Sequence, residues 1–148
     1  MASFSCKVLG RDEIRCIAFS PSGKRIVVGS SDGNIRMFYT PSVQEFMREG
    51  FTFPTQFPHF QVLDEHEGYV TSVHFCNDGK KFVTGSSDGT ARVWSFDMNE
   101  FVWKSRLLCV YKHASSDKRI KVNMITFSSN GDFIMTSSTD KALRVFVI

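Results

Sequence analysis

A histidine, a hydroxyl, a carboxylate and an indole fall close together in the middle of this chain, at His66, Thr84, Asp88 and Trp94. Imidazole, hydroxyl and carboxylate together can move protons or hold a ligand. Buried, the same groups must instead satisfy one another: an imidazole and an indole N–H each need an acceptor, and a turn carboxylate and a threonine hydroxyl can supply it. His66 precedes an alternating apolar stretch, Thr84 lies in a second stretch, Asp88 in the turn that follows and Trp94 in a third. That placement favours a structural role over a catalytic or ligand-binding one. Ser86 competes with Thr84 for the hydroxyl position, since alternation puts both on one strand face.

Other routes to chemistry are thin. There is no Gly-x-Ser-x-Gly elbow and no phosphate-cradling glycine loop, and His66-Glu67 is followed by Gly68-Tyr69-Val70 without the second histidine of a metal helix. The carboxylate pairs Asp12-Glu13 and Asp64-Glu65 are adjacent, so they point apart on extended backbone and do not share a proton. Cys6, Cys16, Cys76 and Cys109 form no Cys-x-x-Cys pair and have no His-x-His companion, so they read as reduced, small apolar residues rather than metal ligands. The expectation is a non-enzyme with no cofactor, no metal and no small-molecule substrate, whose partners are proteins.

The formal net charge of +3 is modest but uneven. Residues 98 to 121 hold Lys104, Arg106, Lys112, Lys118, Arg119 and Lys121 against Glu100 and Asp117. Lys118, Arg119 and Lys121 are the candidate partner contacts, for phosphate or an acidic surface; a merely solvated loop is the plainer reading. Phe46, Phe51, Phe53, Phe57 and Phe60 crowd another segment, where they either cover a neighbouring sheet or form an exposed patch. Apolar runs such as Phe133 to Met135 are far too short for a membrane helix, and the first residues lack the pattern of a secretory signal, so an intracellular location without membrane partners is expected.

The elements that must position these groups come in a repeat. Three segments, Glu13 to Thr40, His66 to Asp97 and Lys121 to Ile148, keep Phe19, Phe75 and Phe127 in step. So are Gly23, Gly79 and Gly131, then Asp32, Asp88 and Asp140, and finally Phe38, Trp94 and Phe146. Each unit reads strand, turn, strand, turn, strand. Val73 and Phe75 alternate with Ser72 and His74, Asn77-Asp78-Gly79 turns, Phe82 to Gly85 forms the second strand and Thr90 to Phe96 the third. Asp32-Gly33 and Asp88-Gly89 are tight hairpin signals; Lys141 replaces that glycine in the third unit, where a different turn type is expected. Fourth strands are expected over His59 to Leu63 and Arg106 to Tyr111. The implied organisation is an N-terminal segment at 1–10, repeat units at 11–40, 65–97 and 121–148, and inserts at 41–64 and 98–120.

His66, Thr84, Asp88 and Trp94 match the blade tetrad of WD-repeat proteins, and the whole pattern resembles that all-β propeller family. The other units are degenerate: Val28 and Phe38 stand at the hydroxyl and tryptophan positions of the first, while the third keeps Thr136 and Asp140 but has Phe146. The runs Phe75-Cys76-Asn77-Asp78-Gly79 and Asp88-Gly89-Thr90-Ala91-Arg92-Val93-Trp94, with Phe96, Trp103-Lys104-Ser105 and Leu107-Leu108, resemble more narrowly the bromodomain and WD repeat-containing family. Ile35-Arg36-Met37-Phe38-Tyr39 and Lys121-Val122-Asn123-Met124-Ile125 agree. That resemblance implies the WD propeller of a nuclear, chromatin-associated transcriptional regulator, with chromatin or histones among its partners; the cytoplasm is the other location considered. It also raises a second reading, a substrate receptor of a cullin-4 ubiquitin ligase. Many such receptors carry Trp-Asp-x-Arg, where this chain has Trp94-Ser95-Phe96-Asp97. No bromodomain lies in these residues. Propellers close with about four to eight blades, so three units imply an incomplete propeller, part of a longer product. If the chain is native at this length, self-association is expected.

Overall fold

A computed structural model describes residues 12–40, 44, 61–97, 104–112 and 120–148. Within them the chain is all β, in three antiparallel sheets. The first comprises β1 (Ile14–Phe19), β2 (Arg25–Ser30), β3 (Ile35–Tyr39) and β4 (Gln61–Leu63) in that order. The second comprises β5 (Val70–Phe75), β6 (Lys81–Ser86), β7 (Thr90–Asp97) and β8 (Lys104–Lys112), and the third β9 (Val122–Phe127), β10 (Phe133–Ser138) and β11 (Leu143–Val147). Each is a meander of the four-stranded propeller-blade type, though only three strands of the last are described. The fourth strands occupy Gln61–Leu63 and Lys104–Lys112; His59 and the Phe-rich segment lie outside the described residues.

Register follows the repeat residue for residue. Phe19 pairs with Ile26, Phe75 with Phe82 and Phe127 with Ile134. Each inner strand also carries a bulge at one repeat position. The pairing passes from Ile14 to Cys16, from Val70 to Ser72 and from Val122 to Met124, leaving Arg15, Thr71 and Asn123 without a partner across the strand. A bulge bends its strand and re-aims the extra side chain.

The inner strands lie side by side, β1 against β5 and β5 against β9, so the sheets stack face to face. Val27, Ile35, Met37 and Leu63 pack against Val70, Val73, Phe75, Phe82 and Trp94 between the first two sheets. Cys76, Val83, Ala91 and Val93 pack against Ile125, Phe127 and Ile134 between the second and third. Each large apolar side chain so buried contributes about 1.5–3 kcal/mol. Polar bonds add register: Thr71 Oγ1 donates to the Val122 carbonyl at 2.7 Å, and the backbone N–H of Phe127 donates to His74 Nδ1 at 3.2 Å.

The outermost faces differ. Ile17 and Phe19 are 59% and 58% exposed, whereas the equivalent Val73 and Phe75 are 8% and 5% exposed. Leu143 and Val145 are exposed while their equivalents Ala91 and Val93 are fully covered. The three sheets are an arc of a propeller, incomplete at this length.

The third unit's turn departs from expectation. Lys141 takes φ 64°, the left-handed region of Gly33 and Gly89, and its N–H donates to the Ser138 carbonyl at 3.1 Å, as Gly33 does to Ser30 and Gly89 to Ser86. The turn type is therefore kept. A Cβ at Gly33 would meet the His66 carbonyl at 2.7 Å, and one at Gly89 the Ile120 carbonyl at 2.8 Å, because the next unit's backbone closes over each turn. Lys141 is exposed, so a side chain costs only backbone strain there. Lys141→Gly is expected to stabilise the fold by about 1 kcal/mol; an unchanged or lower urea midpoint would contradict this.

Candidate functional site

His66 is held by the chain entering β5, Thr84 by β6, Asp88 by the β6–β7 turn and Trp94 by β7. His66 Nδ1 lies 2.9 Å from Asp88 Oδ2, and Nε2 lies 2.8 Å from Thr84 Oγ1. Trp94 Nε1–H donates to Thr84 Oγ1 at 3.0 Å. One proton order satisfies every group: the indole donates to the hydroxyl, the hydroxyl to Nε2, and Nδ1–H to the carboxylate. Carboxylate, imidazole and hydroxyl are linked as in an acid–base relay, but Thr84 is 0% exposed and Phe82 stacks on Trp94 with centroids 5.9 Å apart. No substrate can reach that hydroxyl. Ser86 does not meet His66 or Trp94; its hydroxyl donates to the Tyr69 carbonyl at 3.0 Å and accepts from the Asp88 N–H at 3.1 Å.

Asp88 accepts further bonds from the Glu67 N–H at 3.1 Å and the Thr90 N–H at 2.8 Å. Burial works to raise its pKa, yet the bonds from His66 and Thr90 outweigh it and hold the carboxyl well below the ordinary range. Such a carboxylate confers stability that is fully present above its unfolded pKa and lost as pH falls through the folded one. The urea midpoint is expected to drop below about pH 4, and the drop should shrink in Asp88→Asn; an identical acid profile would contradict the assignment.

The flanking units solve the same problem with a group that residue-type matching to the tetrad overlooks. Arg36 forms a two-pronged pair with Asp32 and reaches Ser30, and the Asp32 carboxyl is driven down chiefly by that guanidinium. Arg144 does likewise with Asp140 and Ser138, its Nη1 lying 3.2 Å from Asp140 Oδ1 and 2.9 Å from Ser138 Oγ. In the middle unit His66 takes the close bond to the carboxylate, and the equivalent Arg92 stands off at 4.0 Å from Asp88 while reaching Glu65 at 3.4 Å. The signal was visible as aspartate followed four residues later by arginine in all three units. Turn carboxylates are thus consumed inside each blade.

Among the described residues no group of three or more His, Cys, Asp or Glu could hold a metal ion. Cys16 is partly buried, and burial pushes its thiol up to about 11, far from a nucleophilic thiolate.

An open cavity of about 590 Å³ lies where the inner strands begin, lined by Glu13, Ile14, Arg15, Tyr69, Thr71 and Asn123. Lys121 adjoins it through the lining residue Tyr69, its ammonium 3.2 Å from the Tyr69 hydroxyl and 5.4 Å from the ring centroid. On the first blade's side the Arg15 guanidinium sits 4.8 Å from the same ring. Of the three candidate partner contacts, Lys121 is thus at the cavity, while Lys118 and Arg119 lie outside the described residues. Residue type alone does not mark Arg15, Tyr69 and Asn123, because only the bulges and the stacking of the sheets bring them together.

Three antiparallel meanders stacked face to face, each with a turn aspartate tied into its own blade, define a WD-repeat propeller arc. The model for "WD domain, G-beta repeat" matches residues 3–38, 58–95 and 105–146, and the chain belongs to that family. It is 30% identical over 87 residues to the periodic tryptophan protein 2 homolog of Neurospora crassa, covering 59% of this chain and 10% of that protein. It is 25% identical over 108 residues to DDB1- and CUL4-associated factor 13 of Dictyostelium discoideum, covering 72% and 21%. Its fold matches the crystal structure of the Myceliophteria thermophila Cps50 (Swd1) β-propeller domain with a TM-score of 0.71 at 13% identity, covering 93% of this chain and 40% of that one. The chain therefore spans between a tenth and two fifths of the length of these proteins.

Proposed function

We propose that the chain is a non-catalytic protein-interaction scaffold, the WD-propeller portion of a nuclear, chromatin-associated regulator. The observation that carries this reading is a division of labour among polar groups. The imidazole and hydroxyl that could do chemistry are closed into the middle blade and each turn carboxylate is bonded within its own blade, whereas the open cavity presents charged and amide side chains suited to recognition. In this reading His66, Thr84, Asp88 and Trp94 latch the middle blade, and Lys121, with Lys118 and Arg119 beside it in sequence, belongs to the partner surface. The resemblance to the bromodomain and WD repeat-containing family supports the nuclear, chromatin-linked assignment. The likeness to DDB1- and CUL4-associated factor 13 does not favour a ligase receptor, because Ser95-Phe96-Asp97 follows Trp94 where many such receptors have Asp-x-Arg. Affinity purification of the tagged chain from nuclear extract, read by mass spectrometry, tests the reading. Histones or chromatin proteins enriched over a tag-only control support it, and their absence, or enrichment of the cullin-4 adaptor instead, would overturn it.

A further inference from the structure

The cavity at the start of the inner strands is built by the repeat itself. Glu13, Tyr69 and Lys121 are one repeat position in three units, and Arg15, Thr71 and Asn123 are the position two residues on. The first ring is clamped by its own backbone: the carbonyls of Glu13, Tyr69 and Lys121 accept from the N–H groups of Ser31, Ser87 and Thr139 at 2.9, 3.0 and 3.0 Å. The N–H groups of Glu13 and Lys121 donate to the hydroxyls of Ser31 and Thr139 at 2.9 and 3.0 Å. The second ring consists of the three bulge residues. Their side chains line the cavity, with the Thr71 hydroxyl bonded to the Val122 carbonyl at 2.7 Å. The two repeat positions thus carry a glutamate, a tyrosine, a lysine, an arginine, a threonine and an asparagine.

We propose that this mouth binds an acidic segment of a partner protein, one carboxylate seating between the Arg15 and Lys121 cations. The assignment rests on the interaction-scaffold reading and names the ligand chemistry of that surface. Arg15 and Lys121 come from different blades and converge on Tyr69. The ring face holds the Arg15 guanidinium and the Tyr69 hydroxyl accepts from the Lys121 ammonium at 3.2 Å; neither contact neutralises the cation, so each keeps donors for a carboxylate. The Asn123 carboxamide makes no hydrogen bond among the described residues and is exposed; it adds a donor beside them. Glu13 is the apparent objection. Its contact with Arg15 is 3.4 Å long, with side-chain exposures of 76% and 42%, and so open a pair is worth little. An incoming carboxylate displaces Glu13 from Arg15, so Glu13 is a weak built-in competitor.

Fluorescence anisotropy with a labelled oligoglutamate, and a labelled oligolysine as counter-probe, tests this on the whole chain, with circular dichroism as the check that each surface variant folds. The oligoglutamate is expected to bind and the oligolysine not. Arg15→Glu and Lys121→Glu should each weaken binding roughly tenfold or more, and Glu13→Gln should tighten it about threefold. Lys24→Glu, which makes the same change in net charge in the β1–β2 turn, should leave it unchanged. Equal losses in Lys24→Glu and Lys121→Glu would show general charge attraction and overturn the site. Preference for oligolysine, or full displacement by inorganic phosphate at concentrations near that of the peptide, would overturn the ligand class. Partners still recovered from nuclear extract by Arg15→Glu and Lys121→Glu variants would sink the acidic-ligand assignment and leave the scaffold reading standing.

Discussion

Trp94→Ala is expected to be the most damaging single substitution in the chain, costing about 3–5 kcal/mol, a large share of a typical domain stability of about 5–15 kcal/mol. The indole is 1% exposed and lies in the core between the first two sheets, stacked on Phe82. Its removal opens a cavity in that core and also deprives Thr84 of its donor. Because Trp94 tethers Thr84, and Thr84 tethers His66, the loss should spread to the turn that Asp88 braces. Thr84→Val separates the two effects. It keeps the shape but leaves Trp94 Nε1–H and His66 Nε2 buried without partners, at about 1–3 kcal/mol each. Chemical denaturation followed by tryptophan fluorescence and circular dichroism measures both. A Trp94→Ala protein within about 1 kcal/mol of the wild type would contradict the packing described.

The second large effect lies at Gly85, in β6, where β9 of the third sheet comes up against the strand. A Cβ there would stand 2.7 Å from Val122 Cγ1 and 3.4 Å from Val122 Cβ. Gly85→Ala therefore forces the second and third sheets apart, at about 1–3 kcal/mol. The clash is with one methyl, so Val122→Ala, harmful alone, should relieve it. The double variant is expected to be more stable than the two single losses added together, a coupling of about 0.5–3 kcal/mol. Strict additivity would show that the two residues do not meet. The equivalent Gly29 faces Val70 Cγ1 at 2.5 Å in the same way, whereas the third unit has Ser137 at this position, on a sheet whose outer face is uncovered.

Much of this architecture is legible in the residues. Phe19, Phe75 and Phe127, with the aligned glycines and turn aspartates, place the hairpins, since apolar alternation and positive-φ glycines are local signals. Gly33 and Gly89 mark their turns for a second reason that local reasoning does not contain, the carbonyls of His66 and Ile120 lying over them. That is why Lys141 invites the expectation of another turn type, which the structure corrects. Thr84 and Ser86 share a strand face, so only the network geometry shows which hydroxyl meets His66. Arg36 and Arg144 escape notice when the tetrad residue types are sought, because a guanidinium replaces an imidazole rather than resembling it. The cavity is harder still. Arg15, Thr71 and Asn123 read as ordinary polar strand residues, and their convergence depends on bulges and on stacking across more than fifty residues of sequence, which no local pattern encodes.

The most direct test of the central claim, that the catalytic-looking groups are sealed into the fold, is the protonation and solvent access of His66 and Trp94 read by heteronuclear magnetic resonance at neutral pH. The account predicts His66 as the Nδ1–H form with Nε2 unprotonated, and a Trp94 indole proton that exchanges with water as slowly as the core backbone amides. A histidine averaging between forms with a rapidly exchanging indole would contradict it.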